Sequence, residues 1–195
     1  VHTELEEALG RKILIKHDAK LSAYAEWHCA EEIKGIDRGS LAIVRSRGYG
    51  IGCGFVVNGN IVNGHLGLAG EAGYMGINFN RHKKGEEGRG TLEYSAGVES
   101  VVRYMKERLY EFPESPLNEN SNYMDVFEAY KHGDELADWA VSKVAWMLGY
   151  GIANIIYIIN PDCIIIGPDY PDTEDFINKI RSAVRNFVPE FVERN

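Results

Sequence analysis

The chemistry legible in this sequence begins with two carboxylates and a run of glycines. Asp18 stands where a short apolar segment, Ile13-Leu14-Ile15, gives way to a helical pattern. A carboxylate at a strand-to-helix junction can point into a cleft while the helix amides steady it, and from there it can take the proton of a hydroxyl. The same carboxylate can instead cap the helix. Glu71 lies in a loop between Gly70 and Gly73, with no helix face or salt-bridge register to account for it, which suits contact with a polar ligand. The pattern Gly48-x-Gly50-x-Gly52-x-Gly54 lets backbone approach phosphate or sugar oxygens closely. Glycines in the core of a tight β-hairpin give the same pattern.

These residues need elements to hold them. The spacing predicts a strand over Ile13 to Ile15 and a helix from Asp18 to about Ile33, with Leu21, Tyr24, Ala25 and His28 on one face. Leu41 to Val44 reads as the next strand, and Gly50 to Val57 as a glycine-broken one. Asn58-Gly59 is a type I′ turn into Ile61-Val62. From Gly64 to Gly90 the chain is glycine-rich and irregular, with a charged tip from Arg81 to Arg89. Helical patterns run from about Leu92 to Tyr110, from Val126 to Tyr130 and from about Glu135 to Ile159, with a loop from Pro113 to Asn122. Asn160-Pro161 ends the long helix, Cys163 to Ile166 is a buried strand, and Thr173 to Phe187 is a last amphipathic helix. Hairpins followed by helices and a late strand predict a mixed α/β domain.

Composition bounds the function. Of 195 residues, 45% are hydrophobic and 26% charged, a globular balance with ample material for a core. The net charge of -8 makes the chain a poor general partner for phosphate backbones or anionic membranes. Its three cysteines, Cys29, Cys53 and Cys163, are too scattered for a disulfide framework or a CxxC metal site, which fits a cytoplasmic location. The most apolar run, Ala145 to Ile159, is shorter than a membrane span of about 20 residues and reads as a buried helix. No secretory signal opens the sequence.

The run from Gly50 to Met75, GIGCGFVVNGNIVNGHLGLAGEAGYM, resembles the signature of the ROK family of repressors, open reading frames and sugar kinases, a G-x-G-x-G hairpin followed by N-G-L-A-G-E-x-G-H. Ile15 to Lys20 is similar to the family's E-N-D-A-N motif, which contains the catalytic aspartate. Leu92-Glu93-Tyr94 resembles its C-L-E segment, and Asn160 to Gly167 its N-P-E-x-I-V-L-G-G-G strand. Four motifs in family order cover about residues 10 to 170. The resemblance implies an actin-like ATPase (ribonuclease H-like) lobe with a mixed sheet. In that reading, residues 1–195 are one effector-binding lobe, with 1–34 as inter-lobe strand and helix and 40–195 as the main lobe. The start at Val1 is read as that of a piece of a longer protein.

The departures from the family pattern set the functional expectation. The family's zinc site uses the E-x-G-H histidine and three loop cysteines. Ungapped counting puts Tyr74, Lys84, Glu86 and Thr91 in those places, and this set cannot form a tetrahedral Cys₃His site, so no metal is expected. Mixed charges at Arg81, Lys83, Lys84, Glu86, Glu87 and Arg89 would hold the loop instead. The two asparagines of N-D-A-N are His17 and Lys20 here. The resemblance implies substrate-binding residues His17, Asp18, Glu71, Tyr74 and Glu93, with Gly50, Gly52 and Gly54 as the remnant of a phosphate loop. The family's adenosine-side G-G-G turn reads Gly167-Pro168-Asp169, which removes an amide and adds a negative charge where a nucleotide would approach.

The expectation is therefore the sugar-effector-binding lobe of a transcriptional repressor of the xylose-repressor kind, with no cofactor and no phosphoryl transfer by this chain. Its partners would be a small-molecule sugar or sugar derivative, a second copy in a homodimer, and DNA through an N-terminal helix-turn-helix outside these residues. The alternative is a lobe of an ATP- and Mg-dependent sugar kinase with Asp18 as catalytic base. Two further readings stay open: a vestigial pocket in which Asp18 is only a cap, and a scaffold that dimerises through the helix from Glu135 to Ile159.

Overall fold

The sheet is built around the glycine-broken hairpin. Residues Leu41–Arg47 form β1, which turns at Gly48-Tyr49 into β2 (Gly50–Val57). Asn58 and Gly59 then adopt φ of 50° and 75°, the left-handed pair a type I′ turn requires, and lead into the short β3 (Asn60–Ile61). The late strand β4 (Cys163–Ile166) docks parallel to β1, whereas β1 and β2 are antiparallel, giving a mixed sheet of order β3-β2-β1-β4. The computed structural model describes residues 1–13, 15–29, 39–78 and 90–189. The expected loop charges at Arg81 to Arg89 lie outside the described residues.

The remaining elements are helices: α1 (His2–Leu9), α2 (Asp18–Cys29), α3 (Leu92–Ala96), α4 (Ser100–Arg108), α5 (Tyr123–Lys131), α6 (Glu135–Ile159) and α7 (Glu174–Arg185). The centre of the lobe is α6. Asp134 caps it by accepting the Ala137 amide, and Asn160, at φ 48°, closes it in the left-handed conformation. At 25 residues it is long and apolar enough to cross a membrane. Its buried residues, among them Leu136, Val144, Leu148 and Ile152, instead pack into the main hydrophobic core against α3, α4, α5 and α7. The helix is a core helix by its contacts rather than by its length.

Four expectations are corrected. Ile13 and Ile15 are not in a strand: the Ile13 amide donates to the Glu6 side chain at 3.0 Å and its carbonyl meets the His2 ring at 2.7 Å, so α1 takes the bonds a ladder would need. Leu14 lies outside the described residues. Helix α1 itself was not expected from the sequence, and none of its residues is buried. On α2 the buried residues are Ala19, Lys20 and Ala23, while Leu21, Tyr24, Ala25 and His28 face solvent. The reason is steric: a Cβ on Gly54 of β2 would lie 2.3 Å from the Ala19 carbonyl oxygen and 2.7 Å from the Ala23 Cβ, an approach only small residues permit.

The helix expected from Leu92 to Tyr110 is broken between α3 and α4, with a further 3₁₀ turn at Leu109–Glu111. Gly97 sits under the β1–β2 turn, where a Cβ would meet the Tyr49 carbonyl oxygen at 2.6 Å, and the Val98 amide donates to Ser46 Oγ at 2.9 Å. Tertiary packing here overrides a continuous helical pattern.

Candidate functional site

The sheet brings the candidate residues to one end of its α2 face. Opposed residues of an antiparallel pair share a face. Leu41, Ile43, Arg45 and Arg47 of β1 therefore lie beside Val56, Gly54, Gly52 and Gly50 of β2. The first half of that row is covered: Leu41, Ile43 and Val56 pack with Ala23 of α2. The second half lies past the start of α2 and forms a hollow of about 240 Å³.

Each element delivers its side chain for a local reason. Asp18 opens α2, its Oδ1 accepts the adjacent Ala19 amide at 2.8 Å, and its largely exposed carboxylate lines the hollow. Glu71 is set by the glycine loop. The Cys53 amide donates to the Gly70 carbonyl at 2.8 Å, and the 3₁₀ turn Ala72–Tyr74 lies against β2 so closely that a Cβ on Gly73 would stand 2.3 Å from the Ile51 carbonyl oxygen. Glu93 is the second residue of α3, whose start is fixed by Thr91, its hydroxyl accepting the Tyr94 amide, and by the buried Leu92.

The hollow joins His17, Asp18, Glu71, Tyr74 and Glu93 with Gly50 and Gly52. The His17 ring bridges two carboxylates, with Nδ1 3.6 Å from Asp18 Oδ1 and Nε2 3.4 Å from Glu71 Oε1. Glu93 stands on the same flank, its Oε2 3.9 Å from the position a Gly50 Cβ would take. Tyr74 is 69% exposed on the rim. Three carboxylates, an imidazole and a phenol can accept and donate several hydrogen bonds to a polyhydroxylated molecule.

The glycine motif divides. Gly54 is outside the hollow, where it permits the close packing of α2. Gly50 and Gly52 floor the hollow, with only ordinary contacts at 3.4 Å or more around a hypothetical Cβ. Lys20, at the second asparagine position, is buried and donates to the Gly67 carbonyl at 2.5 Å, which ties it to the glycine loop. Burial and the neighbouring Glu71 charge push the Cys53 thiol beneath this floor up to about 12.

The sequence reading missed Arg45 and Arg47, which line the same hollow. Arg45 donates to Ser22 Oγ at 2.8 Å, and its Nε lies 3.7 Å from Asp169 Oδ2. The available signal was their i, i+2 spacing on a strand whose neighbour carries glycine at every second position. A larger hollow of about 740 Å³ lies beyond Glu93, beside Tyr49, Tyr94 and Arg103. Of the predicted site residues it touches Glu93 alone.

Of the family's zinc positions, Lys84 and Glu86 lie outside the described residues. Thr91 caps α3 with its hydroxyl, and Tyr74 offers an exposed phenol. This donor chemistry does not fit a thiolate-rich zinc centre. Among the described residues no three His, Cys, Asp or Glu side chains are grouped to hold a metal ion.

The chain has relatives among both sugar kinases and repressors. The chain is 32% identical over 173 residues to a glucokinase of Halalkalibacterium halodurans, covering 84% of this chain and 51% of that protein. It is 27% identical over 195 residues to a xylose repressor of Caldicellulosiruptor bescii, covering 96% of this chain and 48% of the repressor. It thus spans about half the length of these relatives. The structure of a ROK-family glucokinase from Streptomyces griseus, in complex with glucose and AMPPNP, superposes with a TM-score of 0.81 at 22% identity. That match covers 95% of this chain and 62% of the glucokinase, and it carries the actin-like ATPase fold over to this lobe. The ROK family model matches residues 1–195, and the chain belongs to the ROK family.

Proposed function

We propose that this chain is the sugar-effector-binding lobe of a ROK-family transcriptional repressor, one that holds a sugar without phosphorylating it. The observation that carries the proposal is the turn after β4. Pro168 has no amide to offer, and the Asp169 carboxylate is ion-paired with Arg45, so a fixed negative group stands on the side where a nucleotide would enter. Phosphoryl transfer depends on positioned amides and cations around the phosphates; here Pro168 removes an amide, and the nearby cation, Arg45, is engaged by Asp169.

In this reading His17, Asp18, Glu71, Tyr74 and Glu93 bind the sugar hydroxyls. Residues 1–34 form the inter-lobe segment and residues 40–195 the main lobe. DNA contact belongs to a helix-turn-helix outside these residues, and the repressor acts as a homodimer. Sugar binding favours one arrangement of the lobes and so changes the spacing of the DNA-reading heads. The kinase reading draws on the exposed Asp18 carboxylate beside the hollow, which could deprotonate an acceptor hydroxyl.

The test is calorimetry with a panel of pentoses and hexoses, paired with an assay for ADP release in MgATP. Sugar binding without ADP release is expected. Release that Asp18→Asn abolishes would transfer the chain to the kinases, and no binding of any sugar by a folded protein would make the pocket vestigial.

A further inference from the structure

The hollow has two chemically different flanks. On one side of the β2 floor stand the carboxylates: Glu71 beside His17, and Glu93 over Gly50. On the other side, one strand away and therefore about 5 Å across, stand Arg45 opposite Gly52 and Arg47 opposite Gly50. Neither arginine forms an ion pair with Asp18, Glu71 or Glu93, so the guanidinium groups do not serve to neutralise the acidic flank.

Arg47 is exposed at the end of β1, with no hydrogen-bond or ionic partner among the described residues. Arg45 is held in place: one terminal nitrogen donates to Ser22, its Nε faces Asp169, and the other terminal nitrogen has no protein partner among the described residues. A fixed guanidinium next to a free one, above a floor without Cβ atoms, is a fork suited to a planar or tetrahedral oxyanion. The volume of about 240 Å³ suits a monosaccharide carrying one such group and is small for a nucleotide.

From this two-sided lining we infer that the ligand is an anionic sugar, either a phosphate ester or a sugar acid. The carboxylate flank takes its hydroxyls, and Arg47 with Arg45 takes its charged group. The inference rests on the sugar-binding reading above and narrows it to a ligand class. A neutral polyol meets only one flank and leaves the Arg47 guanidinium and the second terminal nitrogen of Arg45 without a partner among the described residues.

The experiment is calorimetric titration of the chain with glucose, glucose 6-phosphate, glucuronate, inorganic phosphate and ADP. At least one of the two anionic sugars should bind about tenfold more tightly than glucose, with inorganic phosphate weak because it lacks the hydroxyl contacts. Arg47→Gln should bring the ratio of anionic to neutral affinity close to one, and Arg45→Lys should lower it less; thermal melts check that both variants fold. The two anionic arms tell ester from carboxylate. Glucose binding as tightly as both anionic sugars, or a ratio untouched in Arg47→Gln, overturns the inference and leaves the sugar-binding reading standing. ADP binding that depends on Arg47, without any preference among the sugars, overturns it in favour of a nucleotide. If nothing binds to the folded chain, the sugar-binding reading and the inference fall together.

Discussion

On the face turned toward α6, β1 presents Ala42, Val44 and Ser46 and β2 presents Ile51, Cys53 and Phe55, all buried. On the opposite face the same two strands present Leu41, Ile43, Arg45 and Arg47 beside Val56, Gly54, Gly52 and Gly50. The first face is closed by helices along its whole length. The second is closed only as far as α2 reaches, and it changes from apolar to charged where that cover ends. One pair of strands thus carries a core and a site back to back. The residue that decides which is which at each step is the one opposite a glycine.

Four changes break or sharpen that contrast. On the core face, Leu148→Ala removes a fully buried side chain of α6 and should cost about 3 kcal/mol in urea unfolding, with ligand affinity little changed in the folded fraction. On the site face, Gly54→Ala forces a methyl into the Ala19 carbonyl and should cost about 2 kcal/mol. Because it lifts α2, it should also weaken ligand binding in calorimetry. An equal loss of affinity in both variants would mean that the two faces are not separable.

Cys53, on the core face, gives a pH signature. Its folded thiol holds its proton up to about 12 against an ordinary 9.0, so between these values the unfolded chain gives up a proton that the folded chain keeps. Stability should therefore fall as pH rises above 9, by up to about 1.4 kcal/mol per unit from this group, and be unaffected below it. The check is the stability difference between the wild-type chain and Cys53→Ala across pH 8 to 11, in which the similarly raised tyrosines Tyr130 and Tyr170 cancel.

The smallest effect is on the far rim of the core. The Tyr130 hydroxyl donates to the Asp175 carboxylate and, with Lys179 nearby, holds it below the usual carboxylate range. A depressed carboxylate stabilises the fold above its unfolded pKa and stops doing so as pH falls through the folded one. The cost of Tyr130→Phe, about 1 kcal/mol for the lost hydrogen bond, should shrink in unfolding measurements below pH 4.

What the sequence disclosed follows local signals. The bounds of α6 and β4 and the turn at Asn58-Gly59 were legible because caps, periodicity and left-handed residues sit within a few positions of what they control. The five clustered site residues come from three separate segments; Asp18 and Glu71 stood out by their positions, whereas His17, Tyr74 and Glu93 were legible only through the family resemblance. The break at Gly97 was hidden because its cause, the Tyr49 carbonyl, is 48 positions away in the chain. The exposed face of α2 was hidden because a glycine on β2 decides which side of that helix is buried. Arg45 and Arg47 lie past the strand expected from Leu41 to Val44, and only the pairing of β1 with β2 sets them beside the glycine floor.

Ser46 deserves a mechanical description. Its hydroxyl donates to the Gly50 carbonyl at 3.1 Å and accepts the Val98 amide at 2.9 Å, at a position with no solvent exposure. It works as a pin through two parts: the β1–β2 turn that carries the arginines and floor glycines, and the joint behind the helix that carries Glu93. The turn that carries the arginines and the joint behind Glu93 therefore share one buried support, and removing the Ser46 hydroxyl unfastens both flanks of the hollow at once.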